Sequence, residues 1–300
     1  MLNRRSLLLG AAAAGLLDTG APALSQVVAS AKLGDRAISI LSDGAFEMPR
    51  SMLARDVAGE VIAQATKGAG PTTNVLNVTC MRQGDRVVMF DCGSGANFLA
   101  GTGKLAASLE AAGIAPDSVT HVLFTHLHPD HFWGALDDFD TPLFPNATWI
   151  ADRREVAFWS DPKVFQKLPE DRHAFAAGAQ RIIKALGDAL ELKEAGSEWL
   201  PGVAAVDTAG HTPGHVSFEL KGPGDPVFVL GDALTHPIAS FAHPEWRPVS
   251  DFDADRAVAT RKRLLERAAD EKAQVIGYHL VGGIGRVERS GTAFRFVAAS

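Results

Sequence analysis

Apolar residues recur along this chain in two rhythms. In the first half, short β-branched runs alternate with turn residues, and residues 37–41, 75–81 and 87–91 each read as a strand. Residues 97–112 then carry Phe98, Leu105, Ala106 and Leu109 at helical spacing, stopping at Gly113. The Val, Leu and Phe of residues 119–125 read as a buried strand. Residues 153–159 and 171–186 predict helices with no strand signal between them, so 151–195 reads as a helical insert. Strands return at 203–208, 216–220 and 227–230, and a long helix at 253–269 precedes a strand at 274–277. No repeat or linker interrupts this alternation, which predicts one α/β domain over residues 26–300.

Residues 1–25 follow a different pattern. Asn3-Arg4-Arg5-Ser6 supplies a positive end, residues 7–17 are apolar, and small residues follow around Ala21-Pro22-Ala23. This is the layout of an export signal, and the arginine pair is similar to a twin-arginine leader. The apolar run stops at Asp18, short of the ~20 residues a membrane span needs. A periplasmic or secreted protein with no stable membrane insertion is therefore expected. Cys80 and Cys92 flank a hairpin turning at Gln83-Gly84-Asp85, which pairs Cys80 near Val88 and leaves Cys92 opposite Leu76. That separation is too great for a bridge, so both read as buried free thiols.

Charge removes one class of partner. The formal net charge is −6 and no basic run appears, whereas a phosphate-backbone binder needs a basic face. A small-molecule substrate is expected instead. Oligomeric state is left open, with a homodimer among the options.

The chemistry concentrates in Thr125-His126-Leu127-His128-Pro129-Asp130-His131. Only ten histidines occur in 300 residues, and three of them fall here. In an extended segment His126 and His128 project to the same side. Pro129 then ends the strand and can open a helix carrying Asp130 and His131. Imidazoles and a carboxylate from two directions suit two adjacent borderline metals. His215 closes Gly210-His211-Thr212-Pro213-Gly214-His215, Asp232 follows strand 227–230, and His279 follows strand 274–277. All these groups lie just beyond apolar strands, where α/β sheets place their sites.

These motifs, H-x-H-x-D-H, G-H-T-P-G-H, G-D and a late histidine, resemble those of the metallo-β-lactamase superfamily from about Asn74 to His279. Val88-Met89-Phe90-Asp91-Cys92-Gly93 is similar to its early strand, with an aspartate behind the ligands. The resemblance implies a four-layer αβ/βα sandwich with two divalent metal ions, zinc above all, at one edge. It assigns His126, His128 and His215 to one metal and Asp130, His131 and His279 to the other, with Asp232 bridging. The implied activity is hydrolysis of a small ester-like substrate by metal-activated water, with Asp232 holding the geometry and Asp130 accepting or relaying a proton. Phe144-Pro145-Asn146-Ala147, residues 231–237 and His243-Pro244-Glu245-Trp246 resemble the exported methyl-parathion-hydrolase-like and lactonase-like branch, whose substrates are aryl esters, phosphotriesters and lactones. Alternatives within the same resemblance are a glyoxalase II-like glutathione-thioester hydrolase and a mononuclear iron persulfide dioxygenase.

Departures matter as well. Lactonases of this fold place a tyrosine three residues after the bridging aspartate, where this chain has Thr235; its one tyrosine is Tyr278. Without that phenol, activated aryl esters or phosphotriesters are expected to outperform long-chain lactones. His211, His236 and His243 fall in loops facing the site and are candidates to hydrogen-bond a ligand. Phe158 or Trp159 of the insert is expected to line an apolar pocket.

Overall fold

The computed structural model describes residues 26–137 and 139–299; the export signal expected over 1–25 lies outside them. Seven strands form a first sheet in chain order: β1 (Val27–Leu33), β2 (Arg36–Met48), β3 (Thr72–Gln83), β4 (Arg86–Phe90), β5 (His121–Leu123), β6 (Thr148–Asp152) and β7 (Leu190–Lys193). Neighbours from β1 to β4 are antiparallel, and those from β4 to β7 parallel. A second sheet runs β8 (Glu198–Leu200), β9 (Val203–Asp207), β10 (Val216–Leu220), β11 (Val227–Val229), β12 (Gln274–Ile276), β13 (Ile284–Ser290) and β14 (Ala293–Ala298). There β11 and β12 pair in parallel, and the other neighbours antiparallel. The helices are α1 (Gly59–Ala65), α2 (Leu105–Ala111), α3 (Pro129–Phe132), α4 (Arg153–Ser160), α5 (Val164–Lys167), α6 (His173–Leu186) and α7 (Ala254–Asp270).

Period-two alternation builds the layers. Val88 and Phe90 of β4 face the second sheet and pack with Phe218, Val229 and Ile276, while Met89 between them faces outward. The outward face of the first sheet meets Leu109, Val156 and Ile182 from α2, α4 and α6. On the second sheet Phe228 and Val275 point outward onto Leu264, Leu265 and Ala268 of α7. Buried positions 257, 260, 261, 264, 265 and 268 of α7 repeat at three and four, one stripe of a helix. The result is the expected αβ/βα sandwich.

Several local expectations change. The helix expected at 97–112 begins only at Leu105, because Gly101 and Gly103 take φ of 93° and 72°, outside the helical region. The strand expected at 119–125 is three residues long. Gly84 and Asp85 alone close the β3–β4 hairpin, so Cys80 pairs with Met89 rather than Val88. Both cysteines are buried and free. The helical insert is framed by β6 and β7, parallel neighbours, so its helices form the crossover between them.

Candidate metal centre and active site

Each chemically active side chain sits just past a strand end. β5 runs into His126 and His128; Pro129 at the first position of α3 sets the turn that carries Asp130 and His131. His211 occupies the loop between β9 and β10, Asp232 the turn after β11, and His279 the segment after β12. The last segment is tied across the sandwich: the Asn77 backbone N–H donates to Tyr278, and the Asn77 side chain to the carbonyls of Gly277 and Leu280.

Two groups of ligand atoms result, one of His126, His128, His211 and Asp232, the other of Asp130, His131 and His279. In the first, His128 Nδ1 lies 3.0 Å from His126 Nε2 and 2.9 Å from His211 Nε2. In the second, Asp130 Oδ2 lies 3.7 Å from His131 Nε2 and 3.4 Å from His279 Nε2. The Asp232 carboxylate stands between them. Its Oδ2 is 3.3 Å from His211 Nε2, while its Oδ1 is 3.1 Å from His131 Nε2 and 3.2 Å from His279 Nε2.

The protein fixes which way these rings present their lone pairs. His131 Nδ1 donates to Asp91 Oδ2 at 2.8 Å, His211 Nδ1 to Asp251 Oδ1 at 3.0 Å, and His279 Nδ1 to the Val75 carbonyl at 2.9 Å. His126 Nδ1 donates to Thr125 Oγ1, which itself donates to Asp91 Oδ2. Each of these four imidazoles therefore turns a bare Nε2 inward, toward other nitrogens and carboxylates. With the rings neutral such a set is repulsive, and either protons or a cation among it relieves the repulsion. Nitrogens sharing one tetrahedral zinc at 2.0–2.1 Å lie about 3.3 Å apart, close to the separations seen. His131 Nε2 and Asp232 Oδ1, which face the two groups, are buried without a hydrogen-bond partner among the described residues. The donor set fits two divalent metal ions.

Charge points the same way. Burial opposes a charged His131, but Asp232, Asp130 and Asp91 outweigh it and hold its proton affinity well above the ordinary value. His279 is raised likewise: burial lowers it, Asp232 more than compensates. These carboxylates call for positive charge, which a proton or a cation can supply, so metal affinity falls as pH is lowered.

One sequence assignment changes. His215, read as a ligand of the first metal, turns away from both groups: its Nδ1 pairs with Thr208 Oγ1 at 2.8 Å, and its Nε2 accepts the Asp232 backbone N–H at 2.9 Å. Burial presses its imidazole down to about 3, keeping it a neutral acceptor. The reason is topological. His215 directly precedes β10 and is bonded to Thr208 at the end of β9, whereas His211 lies at the apex of the connecting loop. His215 thus holds the Asp232 turn, and His211 stands in the first group of ligand atoms. The other six sequence-selected residues lie within the two groups.

Sequence reasoning gave no sign of Glu155. This buried carboxylate on α4 accepts the N–H groups of Leu127 and Gly214 and the indole N–H of Trp159. It clamps the loops carrying His128 and His211 onto the crossover helices.

A cavity of about 420 Å³ opens over Asp130, Asp232, His128, His211 and His279. Phe46, Met48, Phe98, Leu99 and Phe175 supply apolar wall, and Arg172, Thr235 and His236 polar points. Neither Phe158 nor Trp159 lines it; both pack on Phe252, and the insert contributes Phe175 instead. His243 lies apart, stacked on Trp246 at 4.3 Å.

Comparison with known proteins agrees with this geometry. Over 175 residues the chain is 27% identical to an N-acyl homoserine lactonase of a Bacillus species, covering 57% of this chain and 60% of that protein. Over 184 residues it is 30% identical to the N-acyl homoserine lactonase AttM of Azorhizobium caulinodans, covering 58% and 62%. The chain thus matches about three fifths of these relatives' lengths. Among solved structures, the dizinc quorum-quenching lactonase AidC superposes with a TM-score of 0.86 at 25% identity, covering 92% of this chain and 98% of that one. The hydrolase AbOPH follows at 0.83 and 28%, covering 90% and 97%. The family profile described as "Metallo-beta-lactamase superfamily" matches residues 72–279, and with its ligand geometry in place the chain belongs to that superfamily.

Proposed function

We propose that the protein is a dinuclear zinc-dependent hydrolase of small esters, lactones included. The observation that carries this reading is the Asp232 carboxylate, whose two oxygens face two separate sets of inward lone pairs. Imidazole and carboxylate donors without a thiolate suit zinc, and the lactonase relatives and the dizinc neighbour favour the ester class. When bound, such a pair of cations lowers the pKa of water toward 7 and polarises a carbonyl oxygen.

The chain's own residues do the rest. Asp130, partly open to the cavity, is placed to accept a proton beside the second group. The apolar wall excludes water from the acyl chain. His236 supplies a further donor beside Thr235. Its Nδ1 accepts the N–H groups of Ile238 and Ala239 at 3.1 and 3.2 Å, so its proton sits on Nε2 at the cavity wall. Burial, then the charge of Arg50, lowers the imidazole from 6.5 to about 4, so it is neutral in the physiological range. The sign follows: a depressed imidazole contributes stability above pH 6.5 that is lost as pH falls toward about 4. With this donor present, the lack of a tyrosine at 235 no longer argues against lactones.

Asparagine is a good helix cap, so His236→Asn keeps the acceptor for Ile238 and Ala239 while withdrawing the N–H from the cavity. Metal content and Tm should hold, and kcat/KM for lactones should fall about a hundredfold. An unchanged rate would remove His236 from the reaction.

The reading as a whole is tested by presenting N-acyl homoserine lactones, simple lactones, aryl esters, phosphotriesters, β-lactams and glutathione thioesters to zinc-loaded protein. Turnover of lactones or aryl esters is expected; turnover of thioesters alone would contradict it. We further propose that residues 1–25 direct export, supported by their charge and apolar pattern. Mass analysis of native protein should find them removed, and an intact Met1 would count against this.

A further inference from the structure

The cavity wall is mostly apolar, and Arg172 carries the one fixed positive charge among its described lining residues. Arg172 ends the turn before α6 and is half-buried. Its Nη2 donates to the Val249 carbonyl at 2.8 Å, and its guanidinium stands 5.8 Å from the centre of the Phe252 ring. Among the described residues no carboxylate forms an ion pair with it. Asp251, nearby, is engaged by Arg261 and His211. A guanidinium has five N–H donors in a planar fork and keeps its charge, so most of these donors are left for a ligand or for water. Partial burial makes the charge less well hydrated, and the gain from an incoming acceptor correspondingly larger.

The position relative to the metal centre gives this charge a use. Phe252 and Phe175 stand 5.8 and 6.1 Å from the His128 ring, so one aromatic layer separates the guanidinium from a metal-facing histidine. A substrate with its scissile carbonyl over Asp232 can run its acyl arm along Phe175 toward Arg172.

We infer that Arg172 selects the substrate: the cavity takes small esters or lactones whose acyl arm bears a second acceptor, a carboxylate or carbonyl, several carbons from the scissile bond. This rests on the hydrolase reading and specifies what that reading leaves open. Arg172 moves no proton; it acts through binding, and like charge excludes cationic arms.

The test compares 4-nitrophenyl hexanoate with the mono-4-nitrophenyl ester of adipic acid and with the corresponding adipic monoamide ester, on zinc-loaded wild-type protein and R172M. Wild type should favour the acceptor-bearing esters by about tenfold, expressed in KM rather than kcat. In R172M the ratio should fall to about one, with metal content unchanged. R172K should restore preference for the carboxylate more than for the amide, because it returns the charge without the fork. Equal ratios in wild type and R172M would overturn the inference while leaving the hydrolase reading intact. If none of these three esters is turned over, Arg172 is still tested by calorimetry with hexananilide and the mono-anilide of adipic acid, while the lactone assays decide the hydrolase reading. Tighter binding of the second, lost in R172M, supports the assignment; equal binding contradicts it.

Discussion

Replacing Asp232 with Ala should empty both metal sites and lower kcat/KM by about a thousandfold or more. Among the described residues Asp232 is the one side chain with an oxygen toward each ligand group, so its loss would take a donor from both and the negative charge that would offset two cations. Dinuclear centres stabilise hydrolytic transition states by several kcal/mol, and each 1.36 kcal/mol is about tenfold in rate. The fold should survive, because His215 holds the Asp232 backbone N–H rather than its side chain. Asp232→Asn should be milder, keeping the shape and one oxygen while losing the charge. Metal analysis of both variants after exhaustive dialysis checks this. Two retained equivalents in Asp232→Ala would show that the carboxylate does not bridge.

Asp91→Asn should weaken metal binding at both sites by about ten- to a hundredfold, the usual cost of losing a group behind the ligands. The carboxylate accepts three hydrogen bonds: Oδ1 takes the Thr125 N–H at 2.7 Å, and Oδ2 takes Thr125 Oγ1 and His131 Nδ1, each at 2.8 Å. Through Thr125 it also orients His126, so one buried group sets a ring in each metal site. Asparagine has a single acceptor oxygen, and however it turns, an NH2 faces a former donor. His131 then loses the partner that fixes its tautomer. Chelator competition should show the affinity loss, while saturating zinc restores most of kcat. If zinc restored nothing, Asp91 would have a part in the reaction itself rather than in holding the ligands.

How much of this was legible in the sequence depended on the distance between cause and effect along the chain. The cluster from His126 to His131 was readable because its geometry is local: alternation places two imidazoles together and Pro129 turns the chain. The strand ends carrying Asp232 and His279 were readable from apolar runs. The choice between His211 and His215 was not, because it depends on how β9 and β10 pair and which residue is left at the loop apex. Glu155, Asp251 and Arg172 reach the site from helices or loops far from their partners in sequence, and nothing in their neighbours marks them. The same limit explains α2: Phe98 has helical spacing with Leu105, but the φ angles of Gly101 and Gly103 serve a tight turn. β13 and β14 pair at the end of the second sheet and lack a continuous apolar run.

The number and placement of the metals give the most direct test of the proposed dinuclear centre. Purified wild-type protein, analysed for bound elements, should contain two zinc ions per chain. His211→Ala should retain about one, since the first group loses an imidazole whose Nε2 is 2.9 Å from His128 Nδ1. His215→Ala should keep close to two, because neither of its ring nitrogens faces the ligand groups. One iron per chain in the wild type, or loss of metal in His215→Ala with none in His211→Ala, would contradict the account.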